Sequence, residues 1–281
     1  MTRTGGNTPP PWLWPNLLGL DAPAVAVSWQ LLFSHAFDTN FPVVLHVILA
    51  LSVWCIYLAD RLYDTMRTDV TASGTDRLIF TRRYFKPLAL ALAIASAANL
   101  ALIIRYVPGN LIIAGLITSF LLGTYYAIRL KRGTKVASLI PREILCGMLF
   151  SLGCVITPHA YADSGASDLG FWLAALLFGL ICSTSCILIS IWEREEDLAA
   201  SDSSIATISP RIVPFMAGAV SLIAVAAACM VIFIPWQLCL PVALSALAQR
   251  IILHFDDHLS KPMLRVLGDA VLLTPLVFLW F

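Results

Sequence analysis

The chain has 281 residues, of which 59% are apolar and only 12% charged, with a formal net charge of +1 and a mean hydropathy of +0.84. Soluble domains carry about a quarter charged residues, so the composition excludes an ordinary soluble enzyme and predicts an all-α, polytopic membrane bundle. A charge so near zero gives no nucleic-acid signature. Residues 1–281 read as a single integral membrane domain with no room for a separate soluble one.

Nine apolar stretches follow in order, each close to the roughly 20 residues a helix needs to cross the hydrocarbon core. They predict spans over 18–36, 42–62, 86–104, 109–130, 136–157, 169–191, 212–234, 236–254 and 263–281. The first carries Gln30 and His35, and Pro235 divides the long apolar run of 212–254. Residues 1–16 lack the charged-then-apolar order of a cleavable signal and read as a short cytoplasmic tail with an interfacial Trp12/Trp14 anchor. Cys55, Cys146, Cys154, Cys182, Cys186, Cys229 and Cys239 all lie inside predicted spans and make no extracellular disulfide framework.

Of the 18 Lys and Arg residues, 16 fall in the tail or in loops of one parity. The loop after the second span holds Arg61, Arg67, Arg77, Arg82, Arg83 and Lys86, and the loop after the fourth holds Arg129, Lys131, Arg132 and Lys135. Arg194 and Arg211 follow the sixth span, and Arg250, Lys261 and Arg265 flank the loop after the eighth. Loops of opposite parity keep only Arg105, and Arg142 lies within the fifth span. Because cytoplasmic loops accumulate Lys and Arg, this asymmetry predicts a cytoplasmic N-terminus, in what reads as a bacterial inner membrane.

Two acidic clusters end spans of the same orientation. Asp60 and Asp64 close the second span one helical turn apart on one face. Glu193, Glu196 and Asp197 share a face at the end of the sixth, with Glu195 turned away. Like charges at this spacing repel, and both clusters sit at the negative end of the helix dipole. A cation between them reverses both penalties. Solvated helix ends neutralised by Arg61 and Arg194 are the plainer alternative. Hard Mg²⁺ prefers one or two carboxylates plus water and phosphate oxygens, so two facing acidic pairs suit a metal-bridged diphosphate.

At these residues the sequence resembles the UbiA superfamily of intramembrane prenyltransferases, which have nine helices and an Asp-rich motif after the second and after the sixth. Glu193-Arg194-Glu195-Glu196-Asp197 is similar to the second motif, Asp-Arg-Asp-Asp-Asp, of members that make ubiquinone precursors. Asp60 and Asp64 match the second half of the first motif, while Ile56 and Tyr57 stand where the family has Asn and Asp. Tyr125 to Thr134 resembles the family's Tyr-Pro-x-x-Lys-Arg-x-Thr run, without its proline.

The resemblance implies Asp60, Asp64, Glu193 and Asp197 as catalytic Mg²⁺ ligands, with Glu196 as a further one. The substrate it implies is an isoprenyl diphosphate and the acceptor a lipophilic, aromatic molecule, with membrane lipid as the surrounding partner. Lys131 and Arg132, with Arg77 and Arg82 more loosely, are the expected diphosphate-binding cations, although any cytoplasmic loop carries such residues. Tyr57 and Tyr126 are the aromatic faces expected to stabilise an allylic cation. Two alternatives stay open: a terpene cyclase of the same superfamily, acting without an acceptor, and a non-catalytic lipid-binding or transport relative.

Charges inside predicted spans need partners. Arg265 and Asp269, four residues apart, are expected to neutralise each other. Arg142 and Glu143 point in different directions and are expected to find partners on other helices. The run His254-Phe255-Asp256-Asp257-His258 is a rival metal site by ligand type.

Overall fold

The computed structural model describes residues 9–67, 75–130, 141–162, 169–199 and 204–279. Among these the chain is helical throughout. Six helices are long and apolar enough to cross a membrane: Val44–Met66, Phe85–Tyr106, Arg142–Tyr161, Leu169–Trp192, Pro210–Ile232 and Trp236–His258. The chain is therefore a polytopic helical membrane protein.

In chain order the helices are α1 (Trp14–Leu18), α2 (Asp21–Ala36), α3 (Val44–Arg67), α4 (Asp76–Arg83), α5 (Phe85–Tyr106), α6 (Gly109–Leu130) and α7 (Arg142–Tyr161). They continue as α8 (Leu169–Trp192), α9 (Arg194–Ala199), α10 (Ile205–Ile208), α11 (Val213–Cys229), α12 (Trp236–Phe255), α13 (Lys261–Ala270) and α14 (Pro275–Phe278).

The long helices do not by themselves give nine crossings. The expected first span, 18–36, is α2 (Asp21–Ala36), which meets the preceding helical stretch Pro11–Leu18 at a bend of 80°. Gly19 makes the break: it takes the left-handed conformation, φ 69°, that ends a helix. The expected ninth span is interrupted. Helix α13 gives way to a 3-10 turn at Val271–Leu273 before α14. Pro275, with no N–H to donate, cannot continue the ladder, and Thr274 instead donates its hydroxyl to Pro241 O at 3.1 Å.

Helix α8 is the central element, with 72% of its apolar window buried against 11% for α5. Small residues let α7 lie against it: a Cβ on Gly147 would sit 2.6 Å from Ser183 Cα. Ser151 donates its hydroxyl to Ala175 O across the same seam at 2.7 Å. On the other side of α8, Trp29 of α2 stacks on Phe178 with ring centroids 4.1 Å apart. Trp29 also donates Nε1–H to Leu272 O at 2.8 Å, tying α2 to the last segment. Helices α5 and α6 turn Ile94, Ile104, Leu116 and Phe120 outward, as a surface facing lipid requires.

Candidate functional site

A residue of α13 links the middle of α3 to the residue that follows α8. Arg265 donates Nη1–H to Glu193 Oε2 at 2.5 Å and Nη2–H to the Tyr57 hydroxyl at 3.3 Å. One guanidinium thus links Tyr57, one turn before Asp60, to Glu193. Arg265 makes no hydrogen bond to Asp269, although the two charges attract as the i,i+4 spacing suggested. Asp269 instead accepts from Asn16 Nδ2 at 3.4 Å, and the same amide donates to Asp21 Oδ2 at 2.5 Å.

On α3, Arg61 is buried and serves the bend in the first segment. It donates Nη1–H to Leu17 O at 2.9 Å and Nη2–H to Asn16 O at 2.5 Å. Both carbonyls lie in the last turn of α1, and Asn16 O also accepts from the capping Gly19 N–H at 3.1 Å. Trp54 donates Nε1–H to Leu18 O at 2.9 Å. The Arg61 guanidinium lies 4.6 Å from the centre of the Tyr57 ring, so that ring already faces a cation. Asp60 is half-buried and Asp64 exposed.

At the end of α8 the helical ladder continues through the corner into α9. Asp197 N–H bonds to Glu193 O at 2.9 Å, which keeps these two residues one turn apart. Each acid of this corner meets a cation, and some cations are shared. Glu193 takes Arg265, and Arg142 Nη2 lies 3.8 Å from Asp197 Oδ2. Lys261 donates to Glu195 at 2.9 Å and to Glu196 at 2.8 Å. Arg194 points elsewhere, donating Nε–H to Ala206 O at 3.1 Å.

The electrostatics follow from these pairs. Burial disfavours the Glu193 carboxylate, but Arg265 and then Arg77 outweigh it and hold the carboxyl below its usual range. Arg77, half-buried near the start of α4, therefore acts on this corner, whereas Arg82 is exposed. Partial burial works against the Lys261 charge, and its bonds to Glu196 and Glu195 more than restore it, raising the ammonium above its ordinary value.

Arg142 and Glu143 do touch: Arg142 Nε lies 3.4 Å from Glu143 Oε1. Their contacts to other elements include Asp197 and the backbone of Ile205, whose N–H donates to Glu143 Oε1 at 3.2 Å. Lys131, Arg132 and the side chain of Tyr126 lie outside the described residues. In the rival cluster, Asp256 accepts from Trp192 Nε1 at 3.1 Å and the His254 ring packs on Phe255.

Among the described residues no three His, Cys, Asp or Glu side chains gather closely enough to hold a metal. The donors on α3 and α9 are nevertheless hard carboxylate oxygens, the type Mg²⁺ takes one or two at a time when phosphate and water complete its shell. The donor chemistry fits a metal shared with a ligand rather than an all-protein cage.

The chain matches no known family, curated protein or solved structure. Arg265, Lys261 and Glu143 are members of this site that motif reading missed. Their only signal in the sequence is a charge in or beside an apolar stretch, which is costly unless it has work to do.

Proposed function

We propose that the chain is a membrane-embedded, Mg²⁺-dependent prenyltransferase that moves an isoprenyl group from its diphosphate to a lipophilic, aromatic acceptor. The observation that supports this reading most is the Arg265 bridge from Glu193 to Tyr57, which lies one turn before Asp60 on α3. The resemblance to the UbiA superfamily carries with it nine crossings, with the bent α1–α2 pair, α6 and the α13–α14 segment joining the six long helices. It also carries a cytoplasmic site in a bacterial inner membrane, as the basic loops suggest.

In this reading Asp60 and Asp64 from α3, with Glu193, Asp197 and Glu196 from the α8–α9 corner, hold Mg²⁺. The metal would supply charge neutralisation of the diphosphate and polarisation of its bridging oxygen. Arg265, Arg77 and Lys261 exchange carboxylate for phosphate oxygens, a trade that guanidinium makes readily because it binds either group bidentately. Lys131 and Arg132 add to that set, and Arg82 stands further out. As the diphosphate leaves with the electron pair of the C1–O bond, Tyr126 is the aromatic face expected to stabilise the developing cation, and Tyr57 would contribute only the face that Arg61 leaves open. Burial among lipid and helices excludes water, which would otherwise capture the cation.

The reading is tested by incubating membranes that carry the chain with farnesyl, geranylgeranyl and longer diphosphates, with and without phenolic acceptors. Mg²⁺-dependent diphosphate release that disappears in Asp60→Asn/Asp64→Asn is expected. Release that persists undiminished in the double variant overturns the assignment, and a cyclic product formed without acceptor makes the chain a cyclase.

A second reading draws on one observation. Every acid of the α8–α9 corner already meets Arg265, Lys261 or Arg142, which is the pattern of a structural ion-pair network in a non-catalytic lipid-binding protein. That protein would release no diphosphate from any of these substrates.

A further inference from the structure

Helix α1 lies across the bundle at one membrane face. It meets α2 at a bend of 80°, and α2 packs along the spans α3 and α7, so α1 lies closer to the membrane plane than to its normal. Arg61, in the last two turns of α3, holds the carbonyls of Asn16 and Leu17 and fixes α1 at that end of the span. Helix α4 and the start of α5 belong to the same face, because they connect the end of one span to the beginning of the next.

An unbroken aromatic strip joins α1 to α4. Trp14 meets Phe80 edge-on with ring centroids 5.9 Å apart, and Phe80 lies 4.8 Å from Tyr84. The Arg83 guanidinium carbon stands 5.6 Å from the centre of the Tyr84 ring. One side of the strip is packed: Phe80 rests on a cluster of Leu58, Leu62 and Leu88. The other side is open. Trp12 and Trp14 keep 40% and 38% of their surface exposed, and Tyr84 is exposed as well.

Charge accompanies the rings. Arg83, at the end of α4, and Lys86, two residues beyond Tyr84, are exposed. Between Asp76 and Lys86 that one aspartate stands against Arg77, Arg82, Arg83 and Lys86. Among the described residues no ion pair engages Arg83 or Lys86. Trp and Tyr rings are most favourable at headgroup depth, where one end is apolar and the other wet. Cations held at that depth call for anions, and each Lys or Arg near an anionic membrane surface adds about fivefold in affinity. A zwitterionic headgroup offers no net charge to match them.

We infer that α1, α4 and the first turn of α5 form an interfacial collar that selects anionic phospholipid, with the Trp12, Trp14 and Tyr84 rings at headgroup depth and Arg83 and Lys86 on the lipid phosphate. The collar is independent of the diphosphate reading. It uses neither acidic motif and none of the cations assigned to the diphosphate.

The test is tryptophan quenching in the full chain, reconstituted in phosphatidylcholine vesicles that contain either dibrominated phosphatidylglycerol or dibrominated phosphatidylcholine. Bromine on the acyl chain quenches tryptophans near it. The difference between wild type and Trp12→Phe/Trp14→Phe isolates the collar from the remaining tryptophans. A preference for the anionic lipid of at least about fivefold is expected at the collar. It should fall to near unity in Arg83→Gln/Lys86→Gln, and in wild type at about 1 M NaCl, where the screening length shrinks to about 3 Å. Arg83→Lys/Lys86→Arg, which keeps both charges, should retain it. Equal quenching by the two lipids in wild type means that zwitterionic headgroups fill the collar, and overturns the inference. A preference that survives Arg83→Gln/Lys86→Gln, or one that is lost in the charge-keeping variant, overturns it too.

Discussion

Arg265 Nη1 stands 2.5 Å from Glu193 Oε2, with only 13% and 16% of the two side chains exposed. Neither charge has enough water around it to stand alone, so the pair is worth more as a pair than its members are singly. Arg265→Met leaves a carboxylate stranded among apolar atoms, at a cost of about 3–5 kcal/mol. Adding Glu193→Gln removes the stranded charge and restores most of the loss. Thermal unfolding in detergent measures both steps. A double variant no more stable than Arg265→Met shows that the coupling lies elsewhere.

The same pair sets a pH dependence. Glu193 titrates below its ordinary value of 4.5, against the penalty of burial and because of Arg265 and Arg77. A carboxyl depressed in the folded state contributes stability that is fully present above its unfolded value and lost as pH falls through the folded one. The wild-type melting temperature is therefore flat on this account above about pH 5 and declines as pH falls below the unfolded value of roughly 4.3. Glu193→Gln starts lower at neutral pH and declines less steeply in acid. Parallel curves for the two proteins would remove Glu193 as the source.

Hydropathy located the long elements well because a helix facing lipid must be apolar along its whole length, whatever its neighbours. The predicted 86–104 and 169–191 fall within α5 and α8. It missed the break at Gly19, since Leu17, Leu18 and Leu20 read as apolar whether or not the residue between them turns the chain. The same limit applied to charges. Spacing paired Arg265 with Asp269, four residues away, but the structure pairs it with Glu193, 72 residues away. A local rule sees only one helix, and the partner of a buried charge is decided by which helix packs beside it. Asp60, Asp64, Glu193 and Asp197 could be picked out by type, whereas the cations that meet Glu193 and Asp197 could not.

Two glycines of α7 separate close packing from mere helix content. A Cβ at Gly147 would overlap the backbone of Ser183, whereas one at Gly153 would meet nothing within 4 Å. Backbone on α8 cannot yield as a flexible side chain does. Gly147→Ala is expected to destabilise by about 1–3 kcal/mol, the usual range for overpacking. Gly153→Ala gains roughly 0.5–1 kcal/mol from the lower chain entropy of alanine in a helix. Melting temperatures that move the same way for both variants contradict this account of the α7–α8 seam.

Arg61 holds the bend that precedes α2. It is 4% exposed and gives its two terminal nitrogens to the carbonyls of Asn16 and Leu17, the positions from which the chain turns by 80°. Lysine carries the same charge on a single nitrogen, whose three N–H groups lack the two-nitrogen spacing with which the planar fork reaches both carbonyls. Arg61→Lys is expected to lose one of the two bonds, about 1.5–3 kcal/mol for a hydrogen bond made by a charged group. Arg61→Met loses both and exposes α1. Protease cleavage near Trp12–Gly19 reads this directly: it should be slow in wild type, faster in Arg61→Lys and fastest in Arg61→Met. The interior seam between α7 and α8 lies away from this contact, so hydrogen exchange there should stay as in wild type. Equal cleavage in all three proteins would mean that Trp54, through its bond to Leu18 O, is sufficient to hold the turn.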